Sequence, residues 1–380
     1  MIVRARPKYL DVNNLYLKNY MINDNEYFFN KGRTALEFYL TIAKKRMNKS
    51  LNVLLQDFNC NVVIDAILSS GNNALLSDIS LIDFSIDFNT IKENISSIDI
   101  IILTHYQGIP NKDYVSIVKL CKKYKIIIIE DMAHTYKSVI DDVEVGTLGD
   151  IAIYSYAFDK PFSCYEGGLL VVNNTALDIK DEYQMLKLES EKNAKVDIRA
   201  LKFIYQNTEE NKYITSINQH DLIRFFFHKG LSDNFVKFIL KYNIFNKILR
   251  RIIPIKKEKK IQRLHNSKIS IIKKQISNFT YQESIVNSLE KLLSNNGFNI
   301  YKCANINKII WNRYSLIDKD QKILKFLLSK NIEIGNFNWS RPLHTKYKET
   351  HNIKYLENFN NSIYASENII NIPIWRKIDE

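Results

Sequence analysis

The chain has 380 residues, 46% of them apolar and 25% charged, which is the composition of a globular protein large enough for two or three domains. This composition excludes a disordered chain, a collagen and a coiled-coil rod. No run of 18 apolar residues occurs, and the first residues show no secretory signal. We therefore expect a cytoplasmic protein without a membrane-spanning helix.

The formal net charge of +13 is concentrated in one part of the chain. Residues 225–275 contain fourteen lysines and arginines and two acids, Asp233 and Glu258, so this stretch carries +12. A basic surface attracts membranes, acidic substrates or nucleic acid. We do not expect nucleic acid, because no binding module accompanies the charge. The four cysteines are scattered without metal-ligand spacing, so we expect reduced thiols and no metal site.

Strands and helices alternate through the first 175 residues. Apolar spacing predicts helices over 34–47, 61–70 and 112–124, and strands over 52–56, 74–79, 98–105, 125–131, 150–156 and 168–174. The strands are continuous isoleucine and leucine runs, which are typical of a mostly parallel sheet buried on both faces. The sequence therefore predicts a layered α/β fold.

Beyond residue 175 the pattern becomes mainly helical. Long helices are predicted over 235–253 and 276–298, followed by a mixture of short strands and helices. We expect three regions, namely a large α/β domain over 1–215, a basic helical insertion over 216–280 and a small α+β domain over 281–380.

Chemically useful side chains follow several of the predicted strands. His105 ends one strand, Asp131 ends the next with Glu130 before it, and Lys160 follows a third. Because the carboxyl ends of parallel strands meet at one edge of a sheet, an acid and an amine should share one cleft there. A solvated ion pair is an equally good interpretation of these two residues alone.

Longer motifs favour an active site over a solvated pair. EDMAHTYKS at 130–138, VGTLGDIAIYSYAFDK at 145–160 and EGG at 166–168 occur in this order. They resemble the motifs of the DegT/DnrJ/EryC1/StrS family of pyridoxal-phosphate-dependent sugar aminotransferases. The family pattern is E-D-x-A-(H/Q), then G-D-x-x-x-(F/Y)-S-(F/Y)-x-x-x-K, then two glycines. The ordered set is specific, whereas one motif alone would not be.

The resemblance extends in both directions along the chain. GRTAL at 32–36, THYQGIP at 104–110, SRPLHTKY at 340–347 and NSIYASENIINIPIW at 361–375 resemble further family motifs. Roughly residues 28–175 and 300–376 are covered. The resemblance implies a fold-type I transferase, with a large cofactor-binding domain and a smaller C-terminal α+β domain.

The resemblance also implies pyridoxal 5'-phosphate as cofactor and assigns three catalytic residues. Lys160 would supply the amine that holds the cofactor and moves a proton. Asp131 would face the ring nitrogen and keep it protonated, so that the ring can accept electrons. His134 would touch the ring or its phenolic oxygen.

Other residues would complete the cofactor site. Thr34 and Ala35 would present the first turn of a helix to the phosphate, with Arg33 beside them and Ser155 opposite. The loop after the second strand offers Phe58 and Cys60 as cover for the ring. His105 and His344 are weaker candidates for substrate contacts, because a lone histidine is equally well explained as a core or surface group.

The implied activity is transfer of an amino group, from glutamate as amino-acid donor, to a nucleotide-linked keto-sugar for surface polysaccharide or glycan biosynthesis. The resemblance also implies a homodimer, with HNSK at 265–268 as the candidate segment for reaching the partner's phosphate. A sugar dehydratase is an alternative, but such relatives resemble a variant with a changed lysine. A non-catalytic, membrane-associated binding module is another alternative, which retention of Lys160 and Asp131 disfavours.

The basic segment has its own pattern. Residues 235–253 place six apolar side chains on one face of the predicted helix: Phe235, Phe238, Tyr242, Phe245, Leu249 and Ile252. With the basic run that follows, 235–265 fits an interfacial helix attracted to anionic lipid, which would hold the protein at the inner face of the membrane. A packing helix with a solvated basic side is an equally good interpretation. A third is attraction of the substrate's diphosphate.

Overall fold

The computed structural model describes residues 23–210, 217–241, 260–279, 281, 283–332, 334, 339, 341–347 and 351–374. Its strands are β1 (Glu26–Phe29), β2 (Asn52–Gln56), β3 (Asn73–Ser77), β4 (Ile100–Thr104), β5 (Ile127–Asp131), β6 (Val139–Ile140), β7 (Val143–Glu144), β8 (Ile151–Ser155), β9 (Gly168–Val172), β10 (Ile306–Lys308), β11 (Tyr314–Ile317), β12 (Ile353–Tyr355) and β13 (Ile369–Ile372). Its helices are α1 (Gly32–Met47), α2 (Asn61–Ser69), α3 (Phe88–Glu93), α4 (Tyr114–Lys123), α5 (Lys180–Gln184), α6 (Glu191–Glu210), α7 (Ile217–His228), α8 (Asp233–Lys241), α9 (Asn266–Ser277), α10 (Glu283–Asn295), α11 (Lys322–Ser329), α12 (Leu343–Lys346) and α13 (Asn360–Asn368).

Within these residues one eight-stranded sheet has the spatial order β1-β9-β8-β5-β4-β2-β3-β12. The strands from β8 to β12 in this order are parallel, whereas β9 is antiparallel to both β8 and β1. Val53 and Ile102 pack into one apolar cluster, and Leu54 and Ile101 pack into another. Both faces are therefore covered, which explains the unbroken apolar runs. The predicted α/β fold is confirmed.

The helical middle of the chain differs from the prediction. The helix expected over 276–298 is interrupted, since α9 ends at Ser277 and α10 begins at Glu283. The amide of Asn278 donates back to the Lys274 carbonyl, and the Phe279 ring turns to pack against Phe162. For the helix expected over 235–253, α8 accounts for residues up to Lys241, and 242–253 lie outside the described residues. The predicted domain boundaries near 215 and 280 also fall outside them and stay predictions.

Two aspartates dock C-terminal helices onto the carboxyl edge of the main sheet. Asp57 follows β2 and accepts the backbone amide of His344 at 2.7 Å and its ring Nδ1 at 2.6 Å. Asp78 follows β3 and accepts the amides of Asn361 and Ser362 at 2.9 and 2.7 Å. Each carboxylate thus satisfies amide groups in the first turn of a helix, α12 or α13, where negative charge is favourable.

A third junction is built around Gly108, in the loop after β4. Its φ is +105°, and a Cβ there would lie 2.3 Å from the carbonyl oxygen of Ile310. The Ser138 hydroxyl donates to the Gly108 carbonyl at 2.8 Å and accepts the Ile310 amide at 2.9 Å. Only glycine combines this backbone angle with so close an approach. The loop after β4 and the segment before β11 are therefore joined backbone to backbone.

Candidate active site

A cavity of about 310 Å³ lies at the carboxyl ends of β5 and β8, beside the start of α1. Its volume is at the lower end of the range usual for small-molecule sites. Six of the predicted site residues contribute to its wall: Arg33, Cys60, Asp131, His134, Ser155 and Lys160. Parallel strands and the start of α1 thus bring residues from four parts of the sequence to one place.

Lys160 points its amine into this cavity. Its side chain is 14% exposed, and Nζ lies 3.8 Å from Oδ2 of Asp159, which also lines the cavity. The backbone turns tightly after β8, with the Lys160 amide donating to the Ala157 carbonyl at 3.2 Å. This turn directs the lysine back over the end of the strand. A primary amine in a partly enclosed cavity is suited to nucleophilic attack on a carbonyl carbon.

Asp131 ends β5 and is held in a fixed orientation. Its Oδ1 accepts the Ala133 amide at 3.0 Å, and its Oδ2 lies 3.5 Å from the Thr104 hydroxyl. Burial raises the pKa of the carboxyl above its ordinary value, although the Ala133 amide and the positive charge of Lys160 oppose this. Such a carboxylate binds a proton, or a protonated nitrogen, more strongly than an exposed one.

His134 lies three residues after Asp131, and 7% of it is exposed. Burial, followed by the positive charges of Lys160 and Arg313, holds its pKa well below the ordinary value of 6.5, so the imidazole is neutral at neutral pH. The Gln107 amide donates to Nδ1 over 3.5 Å. The indole of Trp339 stacks on the ring, with centroids 5.5 Å apart.

The first turn of α1 meets the end of β8 closely. A Cβ on Gly32 would lie 3.2 Å from Cβ of Ser155, and a Cβ on Gly168 would lie 2.5 Å from the Gly32 nitrogen. Glycine at both positions lets the amino end of α1 approach the Ser155 side chain. Amide donors, the helix dipole and a hydroxyl therefore converge on one end of the cavity, an arrangement that suits an anion.

Thr34 and Ala35, predicted to bind the phosphate, lie behind the cavity wall. Both are buried and are not among the described residues that line the cavity. The Thr34 hydroxyl lies 2.8 Å from both Oδ1 of Asn30 and the Lys31 carbonyl. Lys31 and Arg33, one on each side of Gly32, do line the cavity, so cationic side chains flank the first turn.

Lys31 belongs to a chain of ion pairs that leaves the cavity. Its Nζ lies 3.2 Å from Oε1 of Glu166, and Oε2 of Glu166 lies 3.2 Å from Arg224 on α7. Burial alone would raise the pKa of Glu166, but Arg224 and then Lys31 hold it below its ordinary value. Glu166 is therefore ionised at neutral pH and links the cavity to the helical region.

Besides Thr34 and Ala35, three more predicted residues lie outside the cavity wall. Phe58 is fully buried beneath it, against Tyr106 and Trp339. His105 is fully buried behind the sheet edge, with Nε2 3.2 Å from Glu130. His344 pairs with Asp57 and stacks on Phe359.

The hydrogen bonds of Glu130 explain why an acid precedes Asp131 in the sequence. Glu130 accepts the Tyr114 hydroxyl at 2.8 Å and the amides of Gly146 and Gly149 at 2.6 and 2.7 Å. These bonds tie the loop before β8 to β5. Glu130 therefore stabilises the strands that carry Asp131 and Ser155.

Several cavity residues were not selected from the sequence. Trp339, Gln107, Lys31 and Asp159 all contribute to the wall. Asp159 and Lys31 adjoin residues that were selected, and Trp339 directly precedes the SRPLHTKY motif, so their neighbours in sequence were the available signal. HNSK, the candidate for reaching a partner, has Lys268 fully buried and paired with Asp197 of its own chain at 2.7 Å.

Comparison with known proteins adds independent information. Over 158 residues the chain is 28% identical to the UDP-4-amino-4,6-dideoxy-N-acetyl-beta-L-altrosamine transaminase of Campylobacter jejuni, a match that covers 37% of this chain and 40% of that protein. The chain thus spans about two fifths of the length of such relatives. Part of the chain therefore resembles sugar transaminases in sequence.

Two solved structures share its fold. Helicobacter pylori PseC, an aminotransferase involved in the biosynthesis of pseudoaminic acid, aligns with a TM-score of 0.62 at 15% identity, over 92% of this chain and 81% of its own. GDP-4-keto-6-deoxy-D-mannose-3-dehydratase of Escherichia coli aligns with the same TM-score of 0.62 at 15% identity. This alignment covers 92% of this chain and 83% of the dehydratase chain.

The family assignment rests on the longer sequence match. Residues 16–201 match the profile of the DegT/DnrJ/EryC1/StrS aminotransferase family. This stretch includes the three ordered motifs and the strands that bring Asp131, Ser155 and Lys160 to the cavity. Residues 16–201, about half of the chain, therefore belong to the DegT/DnrJ/EryC1/StrS aminotransferase family.

Proposed function

We propose that this protein is a pyridoxal-phosphate-dependent aminotransferase that transfers an amino group from glutamate to a nucleotide-linked keto-sugar, in the biosynthesis of a surface polysaccharide or glycan. One observation carries the proposal. Lys160 and the partly buried Asp131 line the same cavity, at the ends of neighbouring parallel strands. A solvated ion pair is disfavoured, because the Lys160 side chain is only 14% exposed and Asp131 is partly buried.

The described residues fit the cofactor at each of its functional groups. The first turn of α1, which approaches Ser155 closely and is flanked by Lys31 and Arg33, suits a phosphate. Asp131, whose pKa burial raises, suits a protonated ring nitrogen. The neutral imidazole of His134 suits contact with an aromatic ring, and Cys60 lines the wall nearby.

When bound, pyridoxal phosphate supplies a ring that accepts the electrons of a carbanion next to nitrogen. The chain's own residues would do the rest. Lys160 provides the amine that anchors the cofactor and that can take a proton from a substrate carbon and return it. The carboxylate of Asp131 would stabilise the protonated form of the ring nitrogen.

The first test is covalent labelling. Purified protein incubated with pyridoxal phosphate and then reduced with borohydride should carry the label on the peptide that contains Lys160. Lys160→Arg should abolish both the label and turnover, whereas Lys137→Arg, at an exposed position on the loop after β5, should change neither. Turnover that survives Lys160→Arg would overturn the proposal. A wild-type protein that takes no label would favour a non-catalytic binding module.

Product analysis tests the reaction type. With ¹⁵N-glutamate and a set of nucleotide-linked keto-sugars, an aminotransferase should place ¹⁵N on the sugar. A product that has lost a hydroxyl and gained no nitrogen would favour the dehydratase alternative. The intact Lys160 supports the aminotransferase.

We further propose that the protein is a cytoplasmic homodimer that contacts the inner face of the membrane through 235–265. Phe235 and Phe238 on α8 are 49% and 60% exposed, beside the exposed Lys237. Within the described residues, no helix is long and apolar enough to cross a bilayer. Co-sedimentation with phosphatidylglycerol vesicles, and its loss in a Phe235→Ser/Phe238→Ser variant, would support the contact. Protein that stays in the supernatant with these vesicles would exclude the membrane contact. Analytical ultracentrifugation tests the homodimer.

A further inference from the structure

Trp339 covers one side of His134 in the cavity wall. The two rings are nearly parallel, with an interplanar angle of 23° and centroids 5.5 Å apart. Trp339 belongs to the segment before α12, whereas His134 follows β5, so the contact joins parts of the chain about 200 residues apart. Both side chains line the same cavity.

The indole packs against two further aromatic rings. Phe58 meets it at 5.2 Å with an interplanar angle of 69°, and Tyr106 meets it at 5.0 Å with an angle of 62°. Phe58 and Tyr106 are at most 1% exposed and contact one another at 5.3 Å. Edge-to-face contacts of this kind are favourable and define the plane of the ring. Two rings carried by the loops after β2 and β4 therefore set the plane of Trp339.

His134 has weaker contacts of its own. The amide of Gln107 donates to its Nδ1 over 3.5 Å, at the limit of a hydrogen bond, and the Tyr106 ring lies 6.2 Å away edge-on. The imidazole is neutral because burial and the nearby positive charges lower its pKa. Its orientation therefore depends mainly on the stack with Trp339.

We propose that Trp339 is a positioning residue of the cofactor site. Its indole covers one face of His134 and fixes the imidazole plane, so that the opposite face is presented to the cofactor ring. The inference rests on the proposed function, since it takes pyridoxal phosphate as the ligand. It adds a dependence that the family motifs do not contain, because the geometry at His134 is then set by the C-terminal part of the chain.

The experiment measures cofactor binding and its geometry rather than turnover. Pyridoxal phosphate is titrated into wild type, Trp339→Leu, Trp339→Phe and Trp311→Phe, with the dissociation constant and the visible circular dichroism of the bound cofactor as readouts. Trp339→Leu should weaken binding about tenfold and reduce the dichroism, since the orienting stack is lost. Trp339→Phe should restore most of both. Trp311, buried against Tyr314 away from the cavity wall, serves as the control and should leave both unchanged.

A double-mutant cycle separates positioning from simple packing. If Trp339 acts through His134, then Trp339→Leu should weaken binding much less in a His134→Ala background than in wild type. Additive losses, or wild-type binding and dichroism in Trp339→Leu, would overturn the inference. Far-ultraviolet circular dichroism shows whether each variant is folded. If Trp339→Leu fails to fold, Trp339→Phe replaces it in the cycle with His134→Ala. A wild-type protein that leaves Lys160 unlabelled would overturn the proposed function instead.

Discussion

The Lys268 ammonium lies 2.7 Å from Oδ2 of Asp197, and neither side chain is accessible to solvent. Glu189 is a second, more distant partner of Lys268 at 3.2 Å. The guanidinium of Arg224 bonds to Asp197 at 2.6 Å and reaches Glu166 of the cavity at 3.2 Å. Helices α6, α7 and α9 are thus joined to the cavity by charges of alternating sign.

Removal of Lys268 should destabilise the fold strongly. Lys268→Met would remove the ammonium beside Glu189 and leave Asp197 with Arg224 as its cation; loss of one partner of a buried pair typically costs about 3–5 kcal/mol. Urea denaturation measures the change in the free energy of unfolding. Lys274→Met, on the same helix but partly exposed, should change it by less than about 0.5 kcal/mol. Equal stability of the two variants would mean that the buried pair contributes little.

Asp78 should contribute to stability through α13. Its carboxylate accepts the amides of Asn361 and Ser362 and, at 2.6 Å, the Ser362 hydroxyl. Asp78→Ala removes all three hydrogen bonds and should cost about 2 kcal/mol. Asp78→Asn keeps one side-chain oxygen and should cost less. Thermal denaturation followed at constant pH checks the order, and an alanine variant as stable as the asparagine variant would contradict it.

Alanine variants of Gly108 and Gly297 should distinguish the cost of a steric clash from the cost of backbone strain. Both have positive φ, +105° and +77°, but a Cβ on Gly108 would meet the Ile310 carbonyl whereas nothing lies within 4 Å of one on Gly297. Gly297→Ala should therefore cost about 1–2 kcal/mol, the usual price of a left-handed backbone. Gly108→Ala should cost clearly more, because backbone must move. Chemical denaturation of both variants provides the comparison, and similar losses would show that the junction adapts easily.

His134 should make stability depend on pH in a defined direction. Its pKa is lowered in the folded state, so as pH falls below about 6.5 the unfolded chain binds a proton that the folded chain does not. Stability contributed by the neutral ring is complete above that pH and is lost as pH falls, at up to about 1.4 kcal/mol per pH unit. His134→Gln should remove this part of the slope. Urea midpoints measured between about pH 7 and pH 5 test it, and parallel curves for the two proteins would refute it.

The strand ends could be predicted from the sequence because their geometry follows from simple rules. Unbroken apolar runs indicate parallel strands, and parallel strands share a carboxyl edge, so Asp131, Ser155 and Lys160 were expected together and lie together. Spacing does not, however, specify which way a side chain turns. The Thr34 hydroxyl faces Asn30 because an amide oxygen is available 2.8 Å away.

Contacts made across long sequence distances could not be predicted in the same way. Trp339 reaches His134 because Phe58 and Tyr106 hold it there, and no local pattern reports such packing. Lys268 in sequence is one cation within a basic stretch, which normally indicates a solvated surface. Its burial depends on Asp197 and Glu189, more than 70 residues before it.

The pairing of β12 with β3 has a consequence for synthesis of the protein. Ala74 lies beside Ile353 at the edge of the main sheet, so the partner of β3 emerges from the ribosome about 280 residues later. At about 5–20 residues per second the free edge of β3 stays uncovered for tens of seconds. An uncovered edge strand can pair with other chains. A nascent chain of this protein therefore passes through a period of vulnerability to aggregation that ends when residues 353–355 are released.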